Sequence, residues 1–126
     1  MINYFLKYKF FFYLYNFIII ILYLFPGSIL GWYLYNDVSL QPQITPNFIV
    51  SSNHVYAFLT LSFVGFFTYQ KIEQLKFLSI YLISLSIILE ILHYFIPERD
   101  FEFRDLFGNL VGVIMVIIIF YFFKKK

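Results

Sequence analysis

The chain has 126 residues, of which 62% are hydrophobic, 25% aromatic and 13% charged. A water-soluble domain carries about a quarter charged residues and about half apolar ones, so one compact domain of this size could not hide its excess apolar surface, and lipid is the expected solvent. The net charge of +2 is too small to suggest a nucleic-acid partner, and the lack of cysteine excludes disulfides, cysteine nucleophiles and thiolate metal sites.

A bilayer core about 30 Å thick needs roughly 20 mostly apolar helical residues, and four stretches qualify. The first runs from about residue 10 to 29 and ends near Pro26-Gly27. Lys7 and Lys9 precede it as they would a secretory signal, but the run is long and no small-residue cleavage site follows, so an uncleaved anchor is expected. Tyr33 and Tyr35 continue as interfacial aromatics, and residues 36–47, with Pro42 and Pro46 among polar neighbours, read as an irregular loop. The second, third and fourth stretches cover about 48–69, 77–95 and 106–123. None has the charged face of a soluble amphipathic helix. The expected fold is therefore an all-α integral membrane protein of about four transmembrane helices, forming one domain over residues 1–126.

Charge placement sets the expected orientation. Every lysine falls in one of three places: Lys7 and Lys9, Lys71 and Lys76, or Lys124, Lys125 and Lys126. With four spans these share a side, which the positive-inside rule makes the cytoplasm, with both termini on it. The opposite side holds Asp37, Glu98, Asp100, Glu102 and Asp105, with Arg99 and Arg104 among them.

Glu90 is the residue that most needs an explanation, because it lies inside the third apolar run. A carboxylate there costs about 2.5–3.5 kcal/mol on insertion scales, so it should face protein or water and have a partner. Ser79, Ser86, Glu90 and His93 form one polar stripe at helical spacing. That stripe is either a substrate or proton site or a structural polar clamp. On the fourth helix Asp105, Asn109 and Gly112 lie within an arc of roughly 60°, and Asp105 is either an N-cap, a ligand contact or both. Gly108 and Gly112 form a small-xxx-small pair suited to close helix approach. His54 follows Ser51-Ser52-Asn53 at the start of the second helix, and Leu61, Gly65 and Thr68 continue its face inward. Arg99 and Arg104 could each pair with Glu90 or Asp105, or hold an anionic lipid headgroup. The Glu90–His93 spacing occurs once, whereas bundle di-metal sites use it twice with further carboxylates. With only His54 and His93 in the chain, neither a metal site nor any cofactor is expected. No nucleophile elbow, P-loop or dinucleotide fingerprint is present, so the reading leans away from an enzyme and assigns no catalytic residue.

The stretch from Glu90 to Gly112, E-I-L-H-Y-F-I-P-E-R-D-F-E-F-R-D-L-F-G-N-L-V-G, resembles the signature of the VanZ-like family of small bacterial membrane proteins. Glu90, Pro97, Arg99, Asp105, Asn109 and Gly112 match its order and spacing, which singles out Arg99 and leaves Arg104 as an extra. Pro26 matches a proline common after the family's first helix, and His54 matches a histidine that introduces its second. Val50, Ser51 and Phe58 stand where the family usually has aspartate, lysine and tyrosine, and His93 where it often has glutamine. The resemblance implies a multi-pass protein of the bacterial inner membrane. The family's founding association is with resistance to the glycopeptide teicoplanin, by a mechanism that is not established.

The expected site gathers His54, Glu90, Arg99, Asp105 and Asn109 into a pocket on the outer face, with Pro97, Gly108 and Gly112 in structural roles. Its expected ligand is an amphipathic envelope molecule, a lipid-linked or anionic glycan, held through Arg99 with Asp105 and Asn109 orienting hydroxyls. Two alternatives stand beside it. One is a lipid-modifying enzyme using Glu90 or Asp105 with His54. The other is a helper that docks its Gly108/Gly112 face on a larger membrane partner or on a second copy.

Overall fold

The computed structural model describes residues 2–124. Within them the chain forms α1 (Ile2–Leu24), α2 (Ile29–Tyr35), α3 (Ser52–Thr68), α4 (Ile72–Leu92) continued by a 3₁₀ turn (His93–Phe95), and α5 (Phe103–Lys124). The windows Lys7–Leu24, Ile72–Phe95 and Phe103–Lys124 are long and apolar enough to cross a membrane. The 17-residue α3 rises ~26 Å at 1.5 Å per residue.

Helix boundaries differ from the apolar runs for local reasons. α1 stops at Leu24 because Pro26 and Gly27 follow, and Gly27 takes φ +97°, where a side chain would meet the Val38 carbonyl. The residues just beyond, expected only to carry interfacial aromatics, form the short helix α2; the Ser28 hydroxyl caps it by accepting from the Gly31 N–H (3.0 Å). α4 starts at Ile72 rather than 77, since its first turn is polar, and Glu73 there suits the positive helix end. α5 starts at Phe103, which moves Asp105 from the cap position into the first turn.

The long helices alternate in direction. At one end the Thr68 hydroxyl donates to the Tyr8 carbonyl (3.4 Å), Lys124 Nζ donates to the Gln70 carbonyl (2.7 Å), and Lys9 Nζ lies 5.8 Å from the centre of the Tyr69 ring. At the other end Arg99 reaches the carbonyls that close α1, and the Ser51 N–H donates to the Arg104 carbonyl (3.3 Å). The lysines at 9, 71 and 124 therefore share one end of the bundle and the acidic cluster the other. Lys125 and Lys126, grouped with them in the sequence, lie outside the described residues.

The bundle is apolar outside and polar within. Phe77, Ile118 and Phe123 are more than 60% exposed, while Glu90, Asn109, Ser52 and Ser86 are 0% exposed beside Phe58, Leu61, Leu82 and Val113 in the core. The main seam joins α3 to α5. A Cβ on Gly112 would stand 2.6 Å from the Val55 carbonyl oxygen and 2.7 Å from Leu59 N, and one on Gly108 2.8 Å from the Ser51 carbonyl oxygen. The glycine face is thus covered by α3 of the same chain and is not open to a partner, which corrects the expectation of a docking face there.

Gly112→Ala must push two backbones apart, whereas a Cβ on Gly65 meets only the side chains of Phe12 and Leu78. Unfolding in a mild non-ionic detergent should show Gly112→Ala less stable by about 1–3 kcal/mol, and Gly65→Ala less affected. Equal losses would contradict the close-packed α3–α5 seam.

Candidate functional site

Four elements deliver the buried polar cluster. His54 enters from the first turn of α3, whose N-terminus is capped from outside the helix. The Gln43 side-chain oxygen accepts from the Ser51 hydroxyl (2.9 Å), the Ser52 hydroxyl (3.3 Å) and the Asn53 N–H (3.3 Å). Asn53 in turn accepts from the Ile44 N–H (2.7 Å) and donates to the Pro42 carbonyl (2.8 Å). The loop that looked irregular is therefore fastened over α3. Glu90 comes from the end of α4 and His93 from the 3₁₀ turn that continues it, Asp105 and Asn109 from the first two turns of α5, and Tyr23 from the last turn of α1.

Asn109 is the hub. Its Nδ2 donates to the Ser86 carbonyl (3.1 Å), which fixes the amide orientation, and its Oδ1 accepts from the Tyr23 hydroxyl (2.5 Å) and from His54 Nδ1 (2.9 Å). Both ends of the amide are thus used within the protein, so Asn109 positions its neighbours instead of presenting a free amide to a ligand. The Tyr23 ring lies 4.9 Å from the His54 ring and stacks on His93 at 5.8 Å.

Hydrogen-bond directions assign the protons. Because Asn109 Oδ1 accepts, His54 carries its proton on Nδ1, and Nε2 turns toward Asp105 Oδ2 at 3.5 Å. The Tyr23 carbonyl can only accept, so His93 Nε2 donates to it (3.0 Å). The 3.2 Å contact of His93 Nδ1 with Glu90 Oε1 then holds one further proton, on the imidazole or on the carboxyl. Glu90 Oε1 also accepts from the Glu102 N–H (3.2 Å), whereas Oε2 is buried without a hydrogen-bond partner and lies 3.8 Å from His54 Nδ1. Among the described residues only one other buried side-chain oxygen, Ser62 Oγ, lacks a partner. Beside this cluster the Glu102 carboxyl is pushed up by partial burial and then by Asp105 and Glu90.

The arginines go elsewhere. Among the described residues every ion pair within 4.0 Å involves a histidine, so neither Arg99 nor Arg104 neutralises Glu90 or Asp105. Pro97 and Glu98 (φ 61°) occupy the corners of a tight turn closed by the Arg99 N–H on the Ile96 carbonyl (3.3 Å). This turn swings Arg99 back to α1, where Nε donates to the Phe25 carbonyl (3.2 Å) and Nη2 to the Leu22 carbonyl (2.9 Å). Burial lowers the pKa of its guanidinium, partly offset by Tyr23, Asp105 and Glu90. Arg104 Nη2 donates to the Phe48 carbonyl (3.0 Å) and ties the α2–α3 loop to α5.

A pocket of about 160 Å³ opens between the end of α1, α2 and the start of α3, lined in part by Tyr23, His54, Arg99, Gln41, Gln43 and Asn53. It shares His54 and Tyr23 with the buried cluster, while Glu90, Asp105 and Asn109 lie behind that wall. A larger groove of about 370 Å³, lined by Phe12, Phe77 and Leu78 together with Asn16, Gln74 and tyrosines, is mostly apolar and has no charged side chain in its lining.

Of the five residues expected to form one site, the structure brings His54, Glu90, Asp105 and Asn109 into contact range and sets Arg99 at the pocket wall. Ser79 falls outside, its hydroxyl donating to the Leu75 carbonyl (2.7 Å) of its own helix. Sequence reasoning missed Tyr23 and Gln43. Tyr23 follows buried Phe12 and Ile19 at intervals of seven and four, but α1 is apolar all round and the chain has 12 tyrosines, so that rhythm had no contrast. Replacing Asn109 with leucine would remove the shared acceptor of the Tyr23 hydroxyl and His54 Nδ1–H, leaving them only each other at 3.1 Å, and take the side-chain donor from the Ser86 carbonyl. Thermal unfolding in detergent should show Asn109→Leu destabilised by about 1–3 kcal/mol or more, with Ser79→Ala nearly neutral.

Comparison with models of protein families, with curated proteins and with solved structures found no match to this chain.

Proposed function

We propose that the chain is a VanZ-like protein of the bacterial inner membrane, with four spans and both termini in the cytoplasm, that recognises the anionic headgroup of an amphipathic envelope molecule at its outer face. The observation that carries this reading is the pocket between α1, α2 and α3, which sets Arg99 beside His54, Gln41, Gln43 and Asn53. Its volume of about 160 Å³ is below the roughly 300–1,000 Å³ of sites that enclose drug-sized ligands, so it suits a headgroup whose acyl or prenyl tail stays in lipid. Arg99 spends Nε on the Phe25 carbonyl and Nη2 on the Leu22 carbonyl, which leaves Nη1 for a ligand, and a guanidinium binds phosphate more strongly than a neutral donor does. The charge placement along the chain supports the orientation.

Two changes sharpen the expectation drawn from sequence. Asn109 organises the cluster through Tyr23 and His54, and the polar wall of the pocket comes from Gln41, Gln43 and Asn53. A lipid-modifying reaction is the second reading, favoured by His54 Nε2 lying 3.5 Å from Asp105 at the back of the pocket. Time-resolved lipid analysis with purified protein separates turnover from binding.

The test is binding of phosphatidylglycerol and of a polyprenyl phosphate to purified protein in maltoside, read by native mass spectrometry. Arg99→Ala should weaken both by about ten-fold or more, and Arg104→Ala should leave both within about two-fold. Because Arg99 also closes α1, Gln41→Leu at the pocket rim provides a variant outside the helix caps. If folded Arg99→Ala and Gln41→Leu proteins both bind the two lipids as the parent does, the reading is wrong.

A further inference from the structure

We propose that His54, Glu90 and Asp105 form a binding site for one divalent transition-metal ion, with Zn²⁺ as the test ion. This inference goes beyond the headgroup reading and does not rest on it. The three residues come from α3, α4 and α5, are all buried, and offer one imidazole nitrogen and two carboxylate oxygens within 4.8 Å of one another.

Three features favour an ion over a purely structural polar clamp. First, Glu90 is 0% exposed and its Oε2 has no hydrogen-bond partner, although every other buried side-chain polar atom among the described residues except Ser62 Oγ has one. A buried carboxylate oxygen left without a donor costs free energy that a cation would offset. Second, Asn109 holds a proton of His54 on Nδ1, so when the imidazole is neutral its Nε2 lone pair faces Asp105 Oδ2 at 3.5 Å. Two electron-rich atoms facing each other repel unless a proton or a cation lies between them. Ligands at 2.0–2.2 Å from a tetrahedral ion stand ~3.3–3.6 Å apart, which matches that spacing, and a carboxylate oxygen of Glu90 lies within 4.8 Å of the ligand atoms offered by His54 and Asp105. Third, the supporting hydrogen bonds resemble those behind metal ligands generally. Asn109 orients His54, while His93 and the Glu102 N–H hold Glu90 Oε1 and leave Oε2 without a hydrogen-bond partner beside the His54 ring.

An imidazole with two carboxylates suits borderline ions such as Zn²⁺ or Fe²⁺. Three protein ligands leave a coordination position open. His54 also lines the pocket, so an ion on its imidazole would sit next to that opening. The spacing rule applied to the sequence looked for a Glu-x-x-His motif occurring twice with further carboxylates, and could not see one imidazole and two carboxylates brought together from three helices.

The composition makes the test unusually clean. The chain has no cysteine and only two histidines, both buried, so adventitious high-affinity Zn²⁺ binding has few other donors. Protein carrying a tag without histidine is purified in maltoside, stripped with chelator, and titrated with Zn²⁺ in the absence of anionic lipid. Bound metal and melting temperature are both measured. Expected are one Zn²⁺ per chain with a raised melting temperature, at least 100-fold weaker binding in Glu90→Gln and Asp105→Asn, and about ten-fold weaker binding in His93→Gln. Co²⁺ substitution should give the d–d absorption of a low-symmetry site in the parent and lose it in Asp105→Asn. Should a ligand variant fail to fold, the stoichiometry and the Co²⁺ spectrum of the parent decide alone. If the parent binds less than a tenth of an equivalent of Zn²⁺, or folded Glu90→Gln binds as the parent does, the cluster is a proton-sharing clamp and the inference is overturned. Neither outcome bears on lipid binding through Arg99.

Discussion

A carboxylate with no exposed surface must find every partner within the chain, and Glu90 sets that requirement at the centre of this bundle. Its Oε1 takes His93 from its own helix and the Glu102 N–H from the loop beyond, while its Oε2 looks toward His54 on a neighbouring helix. Each partner is then held in turn. His93 is anchored on the Tyr23 carbonyl, and His54 on Asn109, which itself bonds back to α4 at Ser86. The ring of dependencies passes through α1, α3, α4 and α5, so the polar cluster and the helix arrangement specify each other.

That ring closes only because α3 and α5 come unusually near. Gly108 and Gly112 remove the side chains that would separate the two backbones, and their small size is what lets His54 and Asn109 meet. An apolar bundle in lipid gains little from hiding hydrophobic surface, since the surroundings are equally apolar, and relies on close packing and internal hydrogen bonds. Here the glycines and the buried amide supply both at one place.

The helices were legible in the sequence because hydropathy reports directly on the solvent of a segment. Their ends were less so: the first turn of α4 is polar, the short α2 follows the first apolar run without a change of composition to set it apart, and Pro26-Gly27 was the one sharp stop. Glu90, Asp105 and Asn109 stood out because polar groups in greasy helices are conspicuous, and Gly112 because its spacing from Gly108 has a packing meaning. What could not be read was which partners would meet. Two arginines beside several carboxylates invited ion pairs, yet both arginines satisfy helix-end and loop carbonyls, which have equal need of donors. Gln43 and Tyr23 were invisible for a different reason. Tyr23 acts across a long stretch of sequence and Gln43 from within an irregular loop, and nothing local distinguishes either from the chain's other aromatic or polar residues.

The bond from the Glu102 N–H to Glu90 has a mechanical consequence. It is the one direct tie recorded between the backbone of the 96–102 loop and the buried carboxylate, and it lies on the same loop as Arg99. A force that lifts or presses this loop from the surface would be transmitted to Glu90 through a single amide, shifting the acceptor strength of its second oxygen without touching the core. The loop is in effect a lever whose short arm ends on the carboxylate and whose long arm carries the guanidinium.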